Sequence, residues 1–184
     1  MLRPNYPIRT ERLVLRPFRA TDLDDFYAYR RMPELNRYIY SQPFTRDEAE
    51  EALAKRAAQT ELAEEGQGLT LAVEHDGTVI GEVRLMWLSE VNRQGEIGYI
   101  FSPAHQGHGF AREAAEELLR LGFEVMDLHR IVAECDARNE PSWRLMERLG
   151  MRREAHLRDC EVFKGEWADS FVYAMLASEY QNQR

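Results

Sequence analysis

The stretch "GEIGYIFSPAHQGHGFAREA" at residues 95–114 places a predicted strand, a glycine-containing loop and a helix start in direct succession. Residues 95–102 have the apolar and aromatic content of a strand, and from residue 110 onward apolar residues recur at helical spacing. Gly107 and Gly109 stand at the junction. The N–H groups of the first helical turn have no intrahelical acceptors, so the loop brings unpaired donors to the surface.

These donors permit two interpretations of the loop. The start of a helix is the positive end of its dipole, and Gly107 and Gly109 allow the backbone to approach an anion closely, so the loop fits a phosphate site. The Walker pattern GxxxxGK[ST] and the pattern GxGxxG are missing, so spacing alone favours an ordinary loop and helix start over a phosphate site. A metal site at His105 and His108 is not favoured, because no third ligand lies at a recognisable spacing.

Elements on both sides of this stretch predict an α/β fold in one domain, residues 1–184. The hairpin signals are Asp76-Gly77 and Lys164-Gly165, which accept positive φ angles. The capping pair Thr45 and Glu48 starts a helix that we expect to run to about residue 66. The other predicted elements are a strand at 12–18, helices at 21–31 and 110–126, a strand at 130–136, and a helix that starts near Pro141 and ends before Gly150. This order predicts a mixed sheet with helices on both faces.

Composition limits the classes of function. The chain has a formal net charge of −8, which argues against a general nucleic-acid binder and favours a cationic substrate. No apolar run approaches the roughly 20 residues of a membrane span, and the first residues lack the core of a secretory signal, so we expect a cytoplasmic protein without a membrane partner. Cys135 and Cys160 are too sparse for a disulfide framework and are expected to remain thiols.

The stretch at 95–114 and two further stretches resemble a known family. Residues 95–114 are similar to the acetyl-CoA signature of the GNAT acetyltransferase superfamily, whose loop pattern Gln/Arg-x-x-Gly-x-Gly/Ala is matched by Gln106, Gly109 and Ala111. "CDARNEPSWRLMERLGMRREAHLRD" at 135–159 resembles the downstream half of that family. "KGEWADSFVYAMLASEY" at 164–180 resembles the Rim-type branch, which acetylates N-terminal amines of ribosomal proteins.

The resemblance implies a GNAT-type, mostly antiparallel twisted sheet and acetyl-CoA as co-substrate. Backbone groups of Tyr99, Ile100 and Phe101 would pair with the pantetheine arm in a gap of the sheet. The residues implied for the loop, whose N–H groups from 107 to 112 would hold the pyrophosphate, are Gln106, Gly107, His108, Gly109, Phe110, Ala111 and Arg112. Asn139 would contact the pantetheine, although a role as a helix cap is an equal alternative.

The resemblance also implies direct attack by an amine, without a metal or a covalent enzyme intermediate. Many relatives carry a tyrosine where this chain has Met146, which cannot donate a proton. The resemblance to the Rim-type branch implies Ser142 as the group that protonates the thiolate and Glu161 as the base. Glu96 is a second candidate base, directly or through water. Ser142 also fits a first-turn residue bonded to the backbone, and Glu161 a strand-surface carboxylate.

The pKa of the acceptor amine determines how often it is neutral and able to attack the thioester. An α-amine, with a pKa of about 7.7 to 8.0, is neutral far more often near pH 7 than a lysine at about 10.4, so a weak base suits an N-terminal amine better. The resemblance to the Rim-type branch implies a ribosomal protein N-terminus as the first expectation, without direct nucleic-acid contact. Polyamines, aminoglycosides and peptide antibiotics stay open, as does a non-catalytic acyl-CoA sensor. The sequence also leaves open the acyl group and the formation of a homodimer.

Overall fold

A computed structural model describes residues 1–183, and Arg184, the last residue of the predicted domain, lies outside the described residues. Eight strands form one sheet in the order β1-β2-β3-β4-β5-β6-β8-β7. The strands are β1 Ile8–Arg9, β2 Val14–Arg16, β3 Gly68–His75, β4 Thr78–Ser89, β5 Gln94–Phe101, β6 Arg130–Asp136, β7 Arg152–Phe163 and β8 Glu166–Leu176. The mixed, mostly antiparallel sheet confirms the predicted fold class.

The sheet is interrupted at its centre. β5 and β6 form its parallel pair, which extends only over Gln94–Glu96 against Arg130–Val132. The other neighbouring strands pair antiparallel, and β5 remains paired with β4 as far as Phe101. Beyond Glu96, therefore, β5 has a strand partner on one side and an open edge on the side of β6.

Helices cover both faces of the sheet, as predicted. The helices are α1 Leu23–Arg30, α2 Arg46–Ala58, α3 Phe110–Arg120, α4 Glu140–Arg148 and α5 Ala177–Asn182. Alternate strand residues enter opposite cores: Leu71 and Val73 pack in the core with α3 and α4, whereas Ala72 packs in the core with α1 and α2. These cores define an α3–α4 face and an α1–α2 face.

The helix expected from Thr45 to about residue 66 is shorter than predicted. Its start is confirmed, because the Thr45 side chain accepts from the Glu48 N–H and Glu48 accepts from the Thr45 N–H. The helix ends at Ala58, and Leu62 then pairs with Leu2 through N–H···O bonds of 2.8 and 2.9 Å. Burial of both leucines in the core favours this bridge over a longer helix.

Other boundaries also differ from the sequence prediction. The strand at 12–18 shortens to Val14–Arg16, because only these residues pair with β3. The helix at 110–126 is α-helical to Arg120 and continues as one π turn to Val125, where the Met126 N–H donates to the Leu121 carbonyl oxygen at 3.0 Å. β1 and α5 were not predicted. Both hairpin turns are confirmed, with positive φ at 76–77 and 164–165.

Candidate active site

The gap between β5 and β6 opens into a cavity of about 710 Å³. Strand residues of its wall come from both faces of the sheet, because the missing β5–β6 pairing leaves a passage between them. Six of the candidate site residues predicted from the sequence line this cavity, together with Met146 and Cys135. The six are Glu96, Tyr99, Ile100, Asn139, Ser142 and Glu161.

The alternation of strand side chains separates the wall into two sides. On β5, Ile97 and Tyr99 pack in the core with α3 and α4, whereas Ile100 packs in the core with α1 and α2. Glu96 has the same parity as Ile100 and therefore lies on the α1–α2 face. On β6, Cys135 packs toward α3 and α4. Glu134 consequently projects on the α1–α2 face, on the same side as Glu96.

Hydroxyl and thiol groups gather on the α3–α4 side. The Tyr99 hydroxyl donates to the Ser142 carbonyl oxygen at 2.9 Å and lies 3.2 Å from Ser142 Oγ. Burial raises the pKa of Tyr99 well above its ordinary value, so the phenol stays protonated. Burial also raises the pKa of the Cys135 thiol to about 11, although a hydrogen bond with Ser142 opposes the shift. Met146 is buried.

Asn139 occupies the position before the first residue of α4. Its main-chain oxygen accepts from the N–H groups of Ser142 and Trp143 at 3.0 and 3.3 Å, so the backbone has the arrangement of a helix start. Its side chain makes no capping hydrogen bond. The amide group is therefore free of the capping role that the sequence left open, and it lies in the cavity wall.

Carboxylates gather on the α1–α2 side. Burial raises the pKa of Glu96, the neighbouring Glu134 adds to this shift, and Arg84 opposes it. Within residues 1–183 Glu96 makes no ion pair shorter than 4 Å. Glu161, on β7, accepts a hydrogen bond from the Tyr40 hydroxyl, and this bond raises the pKa of Tyr40 to about 12.

A segment that the sequence did not single out closes one side of the cavity. Residues 35–44 lie between α1 and α2, and Tyr38, Ile39 and Tyr40 line the cavity. The Lys164 ammonium donates to the carbonyl oxygens of Asn36 and Ser41, which ties this segment to the β7–β8 turn. Nothing in the spacing of residues 35–44 indicated this, because the contacts join positions more than 120 residues apart.

The loop from Gln106 to Arg112 follows the end of β5. Gln106 Nε2 donates to the Phe101 carbonyl oxygen at 3.0 Å, which fixes the loop to the strand. Gly107 and Gly109 have φ angles of 82° and 84°, the conformation that glycine adopts without steric cost. α3 begins at Phe110, directly after Gly109. The N–H groups of Phe110, Ala111 and Arg112 therefore belong to its first turn.

Residues 106–109 of the loop are exposed, and Arg12 holds them from outside in addition to the Gln106 contact. Arg12 Nη1 donates to the His108 carbonyl oxygen at 3.0 Å, and the same guanidinium forms an ion pair with Glu113 at 2.8 Å. Arg112 pairs with Glu116 in the next turn of α3. The loop is not part of the cavity wall, so the site consists of the cavity and a separate patch of backbone N–H groups at the end of β5.

The described residues were also compared with the requirements of a metal site and of a membrane-spanning helix. Among residues 1–183, no group of three or more His, Cys, Asp or Glu side chains is arranged to hold a metal ion. No helix in this range combines the length and the apolar content needed to cross a bilayer. His108 is exposed, with its ring 5.8 Å from that of Phe110, and His105 is half-buried.

Comparison with known proteins identifies what the chain resembles. Residues 12–152 match the family model described as an acetyltransferase (GNAT) domain. The crystal structure of a GNAT-family acetyltransferase from Bacillus anthracis is 31% identical and superposes with a TM-score of 0.82, covering 97% of this chain and 99% of that one.

Two further relatives have named substrates. A Vibrio cholerae spermidine N-acetyltransferase, solved with CoA and spermine, is 27% identical with a TM-score of 0.77, over 93% of this chain and 99% of that one. YdaF of Bacillus subtilis (strain 168), provisionally named a ribosomal N-acetyltransferase, is 30% identical over 117 residues, which is 64% of each protein.

Proposed function

This chain belongs to the GNAT family and is an N-acetyltransferase; on that premise we propose that it transfers the acetyl group of acetyl-CoA to a primary amine by direct attack. The observation that carries the proposal is the passage through the sheet between β5 and β6. It places Ser142 at one side of a single cavity and Glu96 at the other.

The residues of this chain fit acetyl-CoA. The open edge of β5 after Glu96 offers backbone groups to an extended arm, as the resemblance implied for Tyr99, Ile100 and Phe101. The positive-φ glycines and the first turn of α3 provide N–H groups for a pyrophosphate. When bound, acetyl-CoA supplies the thioester that the amine attacks.

We place Glu96 ahead of Glu161 as the base. Its pKa is raised by burial and by Glu134, which makes it a better proton acceptor at neutral pH than an ordinary glutamate. Within residues 1–183 both oxygens of Glu96 lack an ion pair, whereas one oxygen of Glu161 already accepts from Tyr40. Glu161 then helps to hold the ammonium group of the acceptor before its proton leaves.

The Ser142 hydroxyl is proposed to donate a hydrogen bond to the sulfur of the departing thiolate as negative charge develops there. Tyr99 fixes the first turn of α4 across the gap and holds the serine close by. Cys135 does not act as a nucleophile in this scheme, because a pKa of about 11 keeps the thiol protonated at neutral pH. Met146 plays no part in proton transfer, so the serine has the role that a tyrosine has in many relatives.

The proposed acceptor is an N-terminal α-amine, with a ribosomal protein as the first candidate. The likeness to YdaF supports this candidate. A polyamine is the second candidate, supported by the likeness to the Vibrio cholerae enzyme and by the carboxylates of Glu96, Glu134 and Glu161 in one cavity. A cytoplasmic location and the formation of a homodimer stay predictions.

A thiol-release screen tests the proposal. Purified protein is mixed with acetyl-CoA and a panel of peptides with different first residues, polyamines and aminoglycosides, and free CoA thiol is measured. We expect release that depends on an amine. Tight binding of acetyl-CoA by calorimetry without release across the whole panel would favour the non-catalytic sensor instead.

A further inference from the structure

The cavity carries opposite charges at its two ends on the α1–α2 face. Glu96, Glu134 and Glu161 come from β5, β6 and β7. At the other end, Lys55 and Arg56 come from α2, and Arg84 comes from β4. An acceptor with positive charge along its whole length would meet like charge at the α2 end.

Arg84 acts electrostatically on Glu96 but forms no ion pair with an acidic side chain in the described part of the chain. Its guanidinium lies close to Gly68, where a Cβ atom would stand only 2.6 Å from Arg84 Nε, so the glycine leaves room for this position of the arginine. Arg84 is opposite Gly98 in the β4–β5 pair, two residues along β5 from Glu96. Diagonal neighbours of this kind are about 7–8 Å apart. From that position the guanidinium leans toward Gly68 on β3.

Lys55 is the second cation without a partner. Within residues 1–183 neither Lys55 nor Arg84 has an acidic side chain within 4 Å, although the chain has 32 acidic residues. The chain contains only two lysines, and the other, Lys164, holds the segment 35–44 at the same cavity. Lys55, which is exposed and lines the cavity, is therefore available to pair with a bound anion.

A buried group of three charged side chains next to Lys55 and Arg84 also has a net positive charge. Glu82 lines the cavity and is shared by Arg56, at 2.9 Å, and Arg30, at 3.4 Å. The side chains of Arg30 and Glu82 are 4% and 5% exposed, and Arg30 Nε has no hydrogen-bond partner in the described part of the chain. Two guanidinium groups against one carboxylate leave a formal charge of +1 in a desolvated place, which favours an anion nearby.

We infer that the acceptor of this acetyltransferase carries an anionic group, a carboxylate or a phosphate, a few bonds from the amine that is acetylated. The amine lies among Glu96, Glu134 and Glu161, and the anion is bound at the α2 end by Lys55 and Arg84. The inference rests on the proposed function of the same cavity. It makes amino-carboxylates, phosphorylated amines and peptides with an early acidic residue better acceptors than polyamines.

Matched acceptors that differ only in the anion test the inference. The first pair is 4-aminobutyrate and its amide, the second is a tetrapeptide with Asp or Asn at its second position, and the third is phosphoethanolamine and ethanolamine; spermidine is added alone. We expect KM for the anionic member of at least one pair to be roughly fivefold lower or more. The pair that shows it identifies the source of the anion.

Variants assign the effect to the named residues. Lys55→Gln and Arg84→Gln should each raise KM for the anionic acceptor roughly two- to fivefold, the range for exposed charges, and raise KM for its neutral partner by a smaller factor. Arg46→Gln is the control, because Arg46 is on the same helix, pairs with Asp24 and does not line the cavity. A switch of preference by Lys55→Glu toward spermidine would support the assignment further.

The outcomes separate the two proposals. Equal turnover of anionic and neutral partners, or a preference for spermidine, overturns the inference while acetyl transfer stands. Release of no thiol with any amine overturns the proposed function itself. A preference for the anion that survives both Lys55→Gln and Arg84→Gln also overturns the inference as stated, because the anion would then be bound elsewhere.

Discussion

The hydroxyl of Tyr99, on β5, lies 3.2 Å from the hydroxyl of Ser142, on α4, and donates to the serine carbonyl oxygen at 2.9 Å. The strand and the helix come from opposite sides of the gap in the sheet. This bridge crosses the gap next to Ser142, the residue that we propose as hydrogen-bond donor to the thioester sulfur.

Tyr99→Phe should lower kcat about three- to tenfold and leave KM for acetyl-CoA nearly unchanged. A lost hydrogen bond costs roughly 0.5–1.5 kcal/mol, and the phenyl ring keeps the packing of the cavity wall. Steady-state kinetics measure both constants. Tyr27→Phe, which alters a ring away from the cavity, is the control. Loss of more than a hundredfold would instead identify the phenol as the proton donor.

Ser142→Ala should lower kcat roughly 10- to 100-fold, because a hydrogen bond to a charged atom is worth about 1.5–3 kcal/mol. The affinity for acetyl-CoA, measured by calorimetry, should hardly change. In the double variant with Tyr99→Phe, the effects should not multiply, since Tyr99 acts through Ser142. Ser178→Ala, on α5, serves as control. Unchanged turnover would leave Ser142 as an ordinary first-turn residue.

The pH profile should distinguish the two candidate bases. A base must be deprotonated, so kcat/KM falls as the pH is lowered through its pKa. Because burial raises the pKa of Glu96, this limb should lie above the range of an ordinary glutamate, about 4.3. Glu96→Gln should remove the limb, and Glu161→Gln should keep it and raise the acceptor KM. The opposite pattern would make Glu161 the base.

Gly109→Val should raise KM for acetyl-CoA at least tenfold, because a β-branched residue resists the φ of 84° that the loop requires. His108→Ala should have little effect, since the loop is held through the His108 main-chain oxygen. Gly77→Val is the control, because it introduces the same backbone strain in the distant hairpin, where φ is 80°. Equal effects of the two glycine substitutions on KM would indicate general destabilisation instead.

The sequence predicted the parts of the fold that depend on local patterns. Hairpins at Asp76-Gly77 and Lys164-Gly165, the strand 130–136 and the start of the helix at Thr45 all follow from short-range rules, and the structure confirms them. The predicted ends of helices and strands were wrong where tertiary contacts determine them. The helix after Thr45 stops early because Leu62 pairs with Leu2, a contact across 60 residues that no local pattern encodes.

The candidate site was predictable to a similar extent. The loop glycines and the residues at the start of α4 stand in recognisable patterns, whereas the role of the Tyr99 hydroxyl, beyond its backbone, was not foreseen. The carboxylate–arginine group of Glu82, Arg30 and Arg56 depends on three elements far apart in the chain. Such groups become visible only when the register of β4 and the packing of α1 and α2 are known.

The passage through the sheet has a consequence for the order of events in turnover. An amine bound on the α1–α2 face and a thioester bound on the α3–α4 face, as we propose, would lie on different sides of the sheet, so neither would have to leave before the other binds. Initial rates at several fixed concentrations of one substrate should therefore give intersecting double-reciprocal lines, the mark of a ternary complex. Parallel lines would instead indicate a ping-pong mechanism, in which the acetyl group is transferred to the protein and CoA leaves before the amine binds.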